Sequence, residues 1–305
     1  MKVLVVVPTF NAGDNWGKWI EGVNGQKNVE YAVLVIDSSS TDDTAAMAES
    51  AGFRTIIIKK HEFNHGATRQ MALEINEDAD IYLYMTQDAL PANENAFSEL
   101  LAVFFNEKIG AAYGCQLSRK EADFFEAFAR RYNYPNESVI KGKRNAGTYG
   151  IKTVFMSNSF AAYRRKALSD VGGFPGHLIM AEDMYAAAKM VLAGWNIAYC
   201  SSAKVYHSHA YSITEEFRRY FDTGVFHALE PWIKQNFGGE SGEGTKFAIS
   251  EIKELMKESP AKIPLSIARN LAKWVGFKLG ENERFVPLSV KRRIGMLRGF
   301  WYQFR

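Results

Sequence analysis

The first 110 residues alternate between short apolar runs and helix-like segments, and this alternation constrains the fold more than any other feature. The runs are continuously apolar, which is typical of strands buried on both faces of a parallel sheet. Helices between such strands cover the two faces. The predicted strands are residues 3–7, 31–36, 54–59 and 81–85, and the predicted helices are residues 15–25, 42–50 and 67–76. The pattern predicts an α/β fold with a mostly parallel sheet.

Polar clusters follow three of these strands, at the points where the strands end. Pro8, Thr9 and Asn11 come after the first strand, Asp37 begins the cluster after the second, and residues 86–89 (Thr-Gln-Asp-Ala) follow the fourth. Ligands of open α/β sheets bind outside the carboxyl ends of the strands. The clusters therefore predict a ligand site at that edge of the sheet.

The rest of the chain is less regular. Helices are predicted at 121–131, 181–193, 215–227, 246–258 and 263–279, and strands at 154–163, 197–199 and 203–206. Residues 141–149 are polar and contain glycine, so a mobile loop is expected there. The predicted organisation is a first region over 1–228, divided at about residue 110, and a helical, basic and aromatic extension over 229–305.

Composition argues against several classes of protein. The formal net charge is only +3, without the basic excess that nucleic-acid binders gather on one face. Cys115 and Cys200 are far apart and are the only cysteines, so neither a disulfide framework nor a cysteine zinc site is expected. No apolar stretch reaches the roughly 18 residues of a membrane span, and residues 3–7 are too short for a signal-peptide core. We therefore expect a cytoplasmic protein without a nucleic-acid partner.

Two kinds of residue near the predicted ligand site are suited to bind a divalent cation. Asp88 follows the fourth strand, where a carboxylate can hold Mg²⁺ or Mn²⁺ against phosphate oxygens. His207 and His209 point to the same side of an extended chain, and either can be a metal ligand. The alternatives are that Asp88 caps a nearby helix and that the histidines are ordinary polar residues at a strand end.

Two further segments are candidates for chemistry. Glu182 and Asp183 begin a predicted helix, where a carboxylate can act as a general base for an attacking hydroxyl or simply cap the helix. Residues 64–69 (Asn-His-Gly-Ala-Thr-Arg) join a strand to a helix. Gly66 permits close backbone approach, the helix start favours an anion, and Arg69 can neutralise a phosphate. An ordinary loop with a surface arginine is the alternative.

Taken in order, these segments resemble glycosyltransferase family 2, whose members have the GT-A fold. The resemblance covers about the first 225 residues. It implies a GT-A catalytic domain over 1–228, with a nucleotide-binding half about 1–110 and an acceptor half about 111–228. It rests on residues 6–11 (Val-Val-Pro-Thr-Phe-Asn), 35–42 (Val-Ile-Asp-Ser-Ser-Ser-Thr-Asp), 64–69, 86–89, 172–175 (Gly-Gly-Phe-Pro), 182–183 and 205–209 (Val-Tyr-His-Ser-His). Several of these segments, together with 157–165 and 217–222, are similar to the rhamnosyltransferase branch of the family.

The resemblance implies a set of donor contacts. Pro8, Thr9 and Asn11 would line the nucleoside pocket, and Asp37 would hydrogen-bond the base or ribose. Residues implied nearer the base and diphosphate are Arg69 and Gln87. The branch implies dTDP-β-L-rhamnose as donor, an α-L-rhamnoside as product, and a lipid-linked saccharide or a growing surface polysaccharide as acceptor.

The resemblance also implies the catalytic residues. Asp183 corresponds to the general base, and Glu182 beside it orients the acceptor or the base. Asp88 and His207 correspond to metal ligands, with Mg²⁺ or Mn²⁺ as cofactor. The implied reaction is a single displacement that inverts the anomeric centre, in which the cation stabilises the departing nucleotide diphosphate.

The sequence departs from the family pattern in two places. The usual Asp-Asp-Gly-Ser-Thr-Asp segment begins with Asp-Ser-Ser-Ser at residues 37–40, which removes the second acidic contact to the base. The usual pair of metal-site aspartates is reduced to Asp88 alone, which leaves room for optional metal use.

Other functions and contacts are also compatible with parts of the sequence. A nucleotidyltransferase would require a glycine- and arginine-rich phosphate loop after the first strand, which residues 7–11 lack, and a non-catalytic saccharide-binding protein would not require the acidic candidates. The basic and aromatic residues 290–305 fit peripheral contact with an anionic membrane, or packing against the catalytic domain. Residues 141–149 are expected to close over the donor as a lid.

Overall fold

The computed structural model describes residues 1–76, 78–238 and 242–303, and these pack as two units. The first unit comprises residues 1–145, 152–177 and 182–208 and contains the sheet. The second comprises residues 146–151, 178–181 and the chain from 209 onward, and it is helical. The packing units divide after residue 208, whereas the predicted catalytic domain extends to 228. That functional division into domains stays a prediction.

The sheet of the first unit has nine strands among the described residues, in the order β3-β2-β1-β4-β8-β6-β9-β5, with β7 also paired to β9. The strands are β1 Val3–Thr9, β2 Tyr31–Asp37, β3 Arg54–Ile57, β4 Ile81–Met85, β5 Leu90–Pro91, β6 Ile109–Leu117, β7 Val139–Lys141, β8 Phe160–Arg164 and β9 Asn196–Tyr206.

Helices follow the strands in the first unit and make up most of the second. In the first unit they are α1 Trp16–Asn24, α2 Thr44–Ser50, α3 His65–Ile75, α4 Ala96–Leu101, α5 Phe124–Asn133, α7 Arg165–Asp170 and α8 Glu182–Leu192. In the second they are α6 Ala146–Tyr149, α9 Ile213–Leu229, α10 Pro231–Phe237, α11 Glu243–Glu258, α12 Ile263–Glu281, α13 Leu288–Ile294 and α14 Arg298–Tyr302.

The amino-terminal half of the sheet is parallel, as the apolar runs predicted. β1 pairs in parallel with both β2 and β4, and β2 pairs in parallel with β3. Strands β1, β2 and β4 are mostly buried. Helix α1 covers one face of the sheet with Trp16 and Trp19, whose stacked rings lie 4.7 Å apart. The α/β fold is confirmed, and the ends of β1, β2 and β4 meet at one edge.

β8 introduces antiparallel pairing into the second half of the sheet. It runs antiparallel to both β4 and β6, whereas β6 and β9 are parallel to each other. Because Met85 at the end of β4 pairs with Phe160 at the start of β8, the segment before β8 reaches the same edge as the polar cluster after β4.

Several predicted boundaries were wrong. β1 continues through Pro8, which is tolerated because the pairing of β1 with β4 ends at Val6. The predicted strand 154–163 is a strand only from Phe160, and the two short strands predicted over 197–206 are one strand, β9. Residues 141–149 contain a short 3₁₀ turn and α6 instead of an irregular loop, and a lid role for them stays a prediction.

Candidate active site

The loops after β1 and β2 are joined by hydrogen bonds. The Thr9 hydroxyl donates to the buried carboxylate of Asp37 at 2.8 Å, and the backbone N–H and hydroxyl of Ser40 donate to the same carboxylate at 2.8 and 2.6 Å. Asn11, with a φ of +44°, accepts the backbone N–H of Thr41 at 2.8 Å. Asp37 thereby orders the turn that lies beside the predicted nucleoside pocket.

Gln87 joins the loop after β4 to the loop after β1. Its side-chain oxygen accepts the N–H of Phe10 at 2.8 Å, and its NH₂ group donates to the carbonyl of Phe10 at 3.1 Å. The amide of Gln87 therefore supports the segment that contains Pro8, Thr9 and Asn11. Its predicted direct contact with the donor stays a prediction.

Arg69 and Glu182 form a buried ion pair. The Nη1 of Arg69 lies 2.9 Å from Oε1 of Glu182 and donates to the carbonyl of His65 at 3.0 Å. The guanidinium was expected near the base and diphosphate of the donor. The residue is 3% exposed and its guanidinium pairs with Glu182, and its role toward the donor stays a prediction.

Local packing brings Arg69 to this position. Asn64 caps α3 by accepting the N–H groups of Gly66 and Ala67, each at 3.0 Å. The α carbon of Gly66 faces the carbonyl of Pro175 so closely that a Cβ there would lie 1.9 Å from the oxygen. The 64–69 and 172–175 segments, which are far apart in sequence, therefore pack against each other directly.

Asn158, which the sequence analysis did not select as a site residue, holds both carboxylates. Its side-chain NH₂ donates to Glu182 at 2.9 Å, its backbone N–H donates to Asp183 at 3.0 Å, and its side-chain oxygen accepts the hydroxyl of Tyr163 at 2.7 Å. The available signal was a polar Ser-Asn-Ser run directly before the apolar strand β8. A buried amide with each of its groups used in this way fixes the position of its partners.

The adjacent carboxyl groups of Glu182 and Asp183 differ in ionisation. Burial raises the pKa of Glu182, but the Arg69 guanidinium, followed by His65 and the Asn158 amide, outweighs it, so this pKa lies below its ordinary value. Burial, followed by the negative charge of Glu182, raises the pKa of Asp183 to about 7. Glu182 is therefore a fixed anion, and Asp183 has the basicity that suits a general base near neutral pH.

Asp88 and His207 lie together at the same edge of the sheet. Oδ2 of Asp88 is 3.4 Å from Nε2 of the buried His207, and Arg119 donates to the backbone carbonyl of Asp88 at 3.2 Å. The side chain of Asp88 stays partly exposed. A carboxylate oxygen and an imidazole nitrogen at this separation fit a shared divalent cation.

Gln116, also absent from the sequence prediction, orients His207. Its side-chain oxygen lies 2.9 Å from Nδ1 of His207, and its NH₂ group donates to the hydroxyl of Ser157 at 2.8 Å. Because that oxygen can only accept, Nδ1 carries the proton and Nε2 presents its lone pair to Asp88. Burial lowers the pKa of His207, although Asp88 opposes this effect, and the lowered pKa favours the neutral imidazole that a metal ligand requires.

The metal-type pair and the carboxylate pair belong to adjoining segments. The N–H of Thr86 donates to the carbonyl of Ser159 at 3.4 Å, so the loop that contains Asp88 adjoins the segment that contains Asn158. The first unit thus combines at one edge a group that can accept a proton, a charge-paired carboxylate and ligands for a hard cation. This set suits the displacement of a nucleotide diphosphate by a hydroxyl.

Known proteins with similar sequences and structures fit this chemistry. The chain is 47% identical over 298 residues to the O-antigen chain rhamnosyltransferase WbaN of Salmonella anatum, covering 97% of this chain and 95% of that protein. It is 44% identical to the O-antigen chain rhamnosyltransferase RfbN of Salmonella typhimurium, covering 99% and 96%.

Solved structures share the fold at low identity. The mannosyltransferase PcManGT of Pyrobaculum calidifontis, in complex with GDP-Man and Mn²⁺, superposes with a TM-score of 0.58 at 17% identity, covering 98% of this chain and 84% of that chain. TarS of S. aureus, in complex with UDP-GlcNAc, gives a TM-score of 0.56 at 16% identity, covering 93% and 91%.

The family model of glycosyl transferase family 2 matches residues 4–172, which include the segments that contain Asp37, Arg69 and Asp88. This match spans more than half of the chain, and it agrees with the fold and with both near full-length relatives. The chain therefore belongs to glycosyl transferase family 2 and is a glycosyltransferase.

Proposed function

We propose that this glycosyltransferase transfers L-rhamnose from dTDP-β-L-rhamnose to a hydroxyl group of a lipid-linked saccharide or a growing surface polysaccharide. The observation that carries the proposal is the near full-length identity to two O-antigen chain rhamnosyltransferases. The product would be an α-L-rhamnoside, because displacement of the diphosphate by a hydroxyl in one step inverts the anomeric centre.

In this proposal Asp183 takes the proton from the acceptor hydroxyl. The support is its pKa of about 7 and the two N–H groups, of Asn158 and Met184, that hold its carboxylate oxygens at 3.0 and 2.8 Å. Glu182, neutralised by Arg69, raises the basicity of Asp183 without competing for the proton. Asn158 donates hydrogen bonds to both carboxylates and so holds the general base in position.

The donor would lie along the ends of β1, β2 and β4. Pro8, Thr9 and Asn11 are proposed to line the nucleoside pocket. Asp37 is proposed to hydrogen-bond the nucleobase or the ribose. Support comes from the hydrogen bonds that order these loops around one another. Gln87 is proposed to shape the pocket through Phe10.

Asp88 and His207 are proposed to hold a divalent cation, Mg²⁺ or Mn²⁺. The chemistry that such a cation supplies is neutralisation of charge on the departing diphosphate. The contribution of this chain is to present Nε2 of His207 unprotonated, through the hydrogen bond from Nδ1 to Gln116.

The proposed acceptor class would bring the protein to a membrane surface. No helix among the described residues has the length and apolarity to cross a bilayer. Peripheral contact on the cytoplasmic side is proposed. Within the second unit, Trp301 of the tail is buried with its ring 6.4 Å from that of Phe221, and Phe304 and Arg305 lie outside the described residues. The tail therefore offers less apolar surface for this contact than its sequence indicates.

The proposed donor is tested with a panel of nucleotide sugars. Thermal shift and donor hydrolysis would be measured with dTDP-rhamnose, UDP-sugars and GDP-sugars, each with and without Mn²⁺ or Mg²⁺. A selective, cation-dependent response to dTDP-rhamnose is expected. A selective response to a UDP- or GDP-sugar would refute the rhamnose assignment and leave the family assignment intact.

The proposed base is tested with Asp183→Asn. This variant should lose transfer by at least about 10³-fold, because an amide cannot accept the proton, while its affinity for dTDP-rhamnose stays near that of the wild type. Asp170→Asn, at an exposed Lys166 ion pair, is the matched control and should keep its activity. Transfer by Asp183→Asn at a near wild-type rate would exclude Asp183 as the base.

A further inference from the structure

In helix α12 of the second unit the polar face packs inward and the apolar face is exposed, the opposite of the usual arrangement in a surface helix. The face that packs inward bears polar or very small residues: Ser266, Arg269, Lys273, Gly276 and Gly280. The opposite face is apolar and open, with Ile267 54% exposed, Leu271 56% and Trp274 60%. These residues recur at helical spacing and form one stripe with Val275. Exposed apolar stripes of this kind mark interaction surfaces.

Packing against α9 explains why the polar face is the inner one. A Cβ at Gly276 or Gly280 would lie 2.3 or 2.1 Å from backbone oxygens of α9, so the two helices touch along their backbones. Arg269 and Lys273 pair with the buried carboxylate of Glu216 in α9, at 2.9 and 3.2 Å. These contacts fix the rotation of α12, and its apolar stripe therefore faces outward.

Only basic groups flank the apolar stripe on this helix. Lys262 precedes α12 and Lys278 lies on the exposed side near its end. The only carboxylate of α12 is Glu281, which is paired with Lys234 and Lys278. The described residues 242–303 contain twelve Lys and Arg against six Glu, in a chain whose net charge is +3. The segment that contains α12 therefore has an excess of basic residues.

We propose that α12 lies along the surface of an anionic membrane, with Leu271 and Trp274 in the headgroup region and Lys262 and Lys278 against lipid phosphates. Apolar side chains with a tryptophan and flanking lysines suit this position. A second copy of the chain fits less well, because the basic groups beside the stripe outnumber Glu281, the single carboxylate of α12, and a self-complementary contact would set this positive excess against itself. The proposal rests on the proposed function only in that a lipid-linked acceptor is found at a membrane.

The test is flotation of the full chain with phosphatidylcholine vesicles, with and without phosphatidylglycerol. The wild type should float with the anionic vesicles, less so as salt is raised. The double variant Leu271→Glu/Trp274→Glu should bind about tenfold or more weakly. Phe105→Glu, at a residue of the first unit that is 88% exposed, is the matched control and should bind as the wild type does.

A second variant keeps the test independent of any effect of the first on folding. Lys262→Glu/Lys278→Glu leaves the apolar stripe in place and should remove the preference for anionic over neutral vesicles. Donor hydrolysis in solution should be unchanged in both double variants, so a wrong donor assignment and a wrong membrane surface give different results.

Three outcomes would overturn the proposal. The wild type does not float with anionic vesicles, or the Leu271→Glu/Trp274→Glu variant floats as well as the wild type. In the third outcome, the wild type binds no vesicles, and light scattering shows that it is a dimer which the Leu271→Glu/Trp274→Glu variant converts to a monomer. Helix α12 would then be an interface between copies of the chain.

Discussion

Glu182 and Asp183 are neighbours in sequence, yet their carboxyl pKa values shift in opposite directions. The sequence predicted the pair as candidates, because carboxylates at a helix start are easily recognised. The family resemblance assigned the base role to Asp183, but the residues alone did not give the ionisation of either carboxyl group, since that depends on Arg69 from α3 and on Asn158 from the segment before β8. Both contacts are formed only when distant segments meet.

The raised pKa of Asp183 predicts the pH dependence of transfer. Below pH 7 the carboxyl is protonated and cannot accept the acceptor's proton, so kcat/KM should fall about tenfold per pH unit. Above pH 7 the rate should level off. Initial rates from pH 5 to 9 at fixed Mn²⁺ would check this. An acid limb near pH 4, the range of an ordinary carboxyl, would contradict it.

The contact between Gln116 and His207 was not predicted from the sequence. Asp88 and His207 were predicted as metal ligands from their places at strand ends, and the structure brings them together. Gln116 lies within the apolar run of β6, and its polarity among buried neighbours was the available signal. Its partner His207 could not be identified from sequence, because the pairing of β6 with β9 and its register shift set it.

Gln116→Leu should weaken Mn²⁺ binding by about 10- to 100-fold, because the Nδ1 proton of His207 loses its acceptor. Calorimetric titration of the protein with MnCl₂ measures this directly. In a His207→Ala background the same substitution should have no further effect, since Gln116 acts through the imidazole. Equal losses in the two backgrounds would show that Gln116 acts elsewhere.

Among the elements, strongly apolar strands and periodic helices were predicted within a few residues. β4 and α8 agree closely with prediction, whereas β9 was divided in two because Ser201 and Ser202 resembled a break. Those serines continue the strand, and the N–H of Ser201 donates to Ser138, next to β7. A polar pair inside a strand is stabilised by a neighbour that sequence periodicity does not identify.

The start of α3 depends on close contact with the turn at Pro175. Gly66→Ala should destabilise the protein by about 3 kcal/mol, because the new Cβ would overlap a backbone oxygen that cannot rotate away. Gly147→Ala is the matched control: a Cβ there meets no atom within 4 Å, so its stability should be equal or slightly higher. Urea unfolding measures both, and equal midpoints for the two variants would refute the close contact.

On the scale of the whole molecule, the sheet-bearing unit contains all the proposed donor, base and metal residues. The sequence predicted a catalytic region followed by helices, and it placed the boundary at 228. In the structure α9 packs with the C-terminal helices, because α12 approaches its backbone along Gly276 and Gly280. Glycines inside a predicted helix were the signal for such an approach.

Global stability should depend on pH through Lys141. Its amine is buried, donates to Tyr113 and to the Lys152 carbonyl, and has its pKa lowered to about 7 by burial and by the charge of Lys152. Between pH 7 and about 10 the unfolded chain binds one more proton than the folded chain, so this residue makes stability rise with pH.

Lys141→Met should remove that contribution. The slope of the unfolding free energy against pH, measured in urea between pH 7.5 and 9, should be about 1.4 kcal/mol per pH unit lower than in the wild type. Lys166→Met, at an exposed lysine, should keep the wild-type slope. Parallel slopes for wild type and Lys141→Met would mean that the buried amine stays protonated.

The buried cluster of Arg69, Glu182 and Asn158 also limits how this enzyme can diverge. Loss of Arg69 alone leaves an uncompensated buried anion, and loss of Glu182 alone leaves an uncompensated buried cation, at about 3–5 kcal/mol each. Substitution of Arg69 or Glu182 is therefore tolerated only when both residues are replaced together. Positions 69 and 182 should consequently be inherited as one unit.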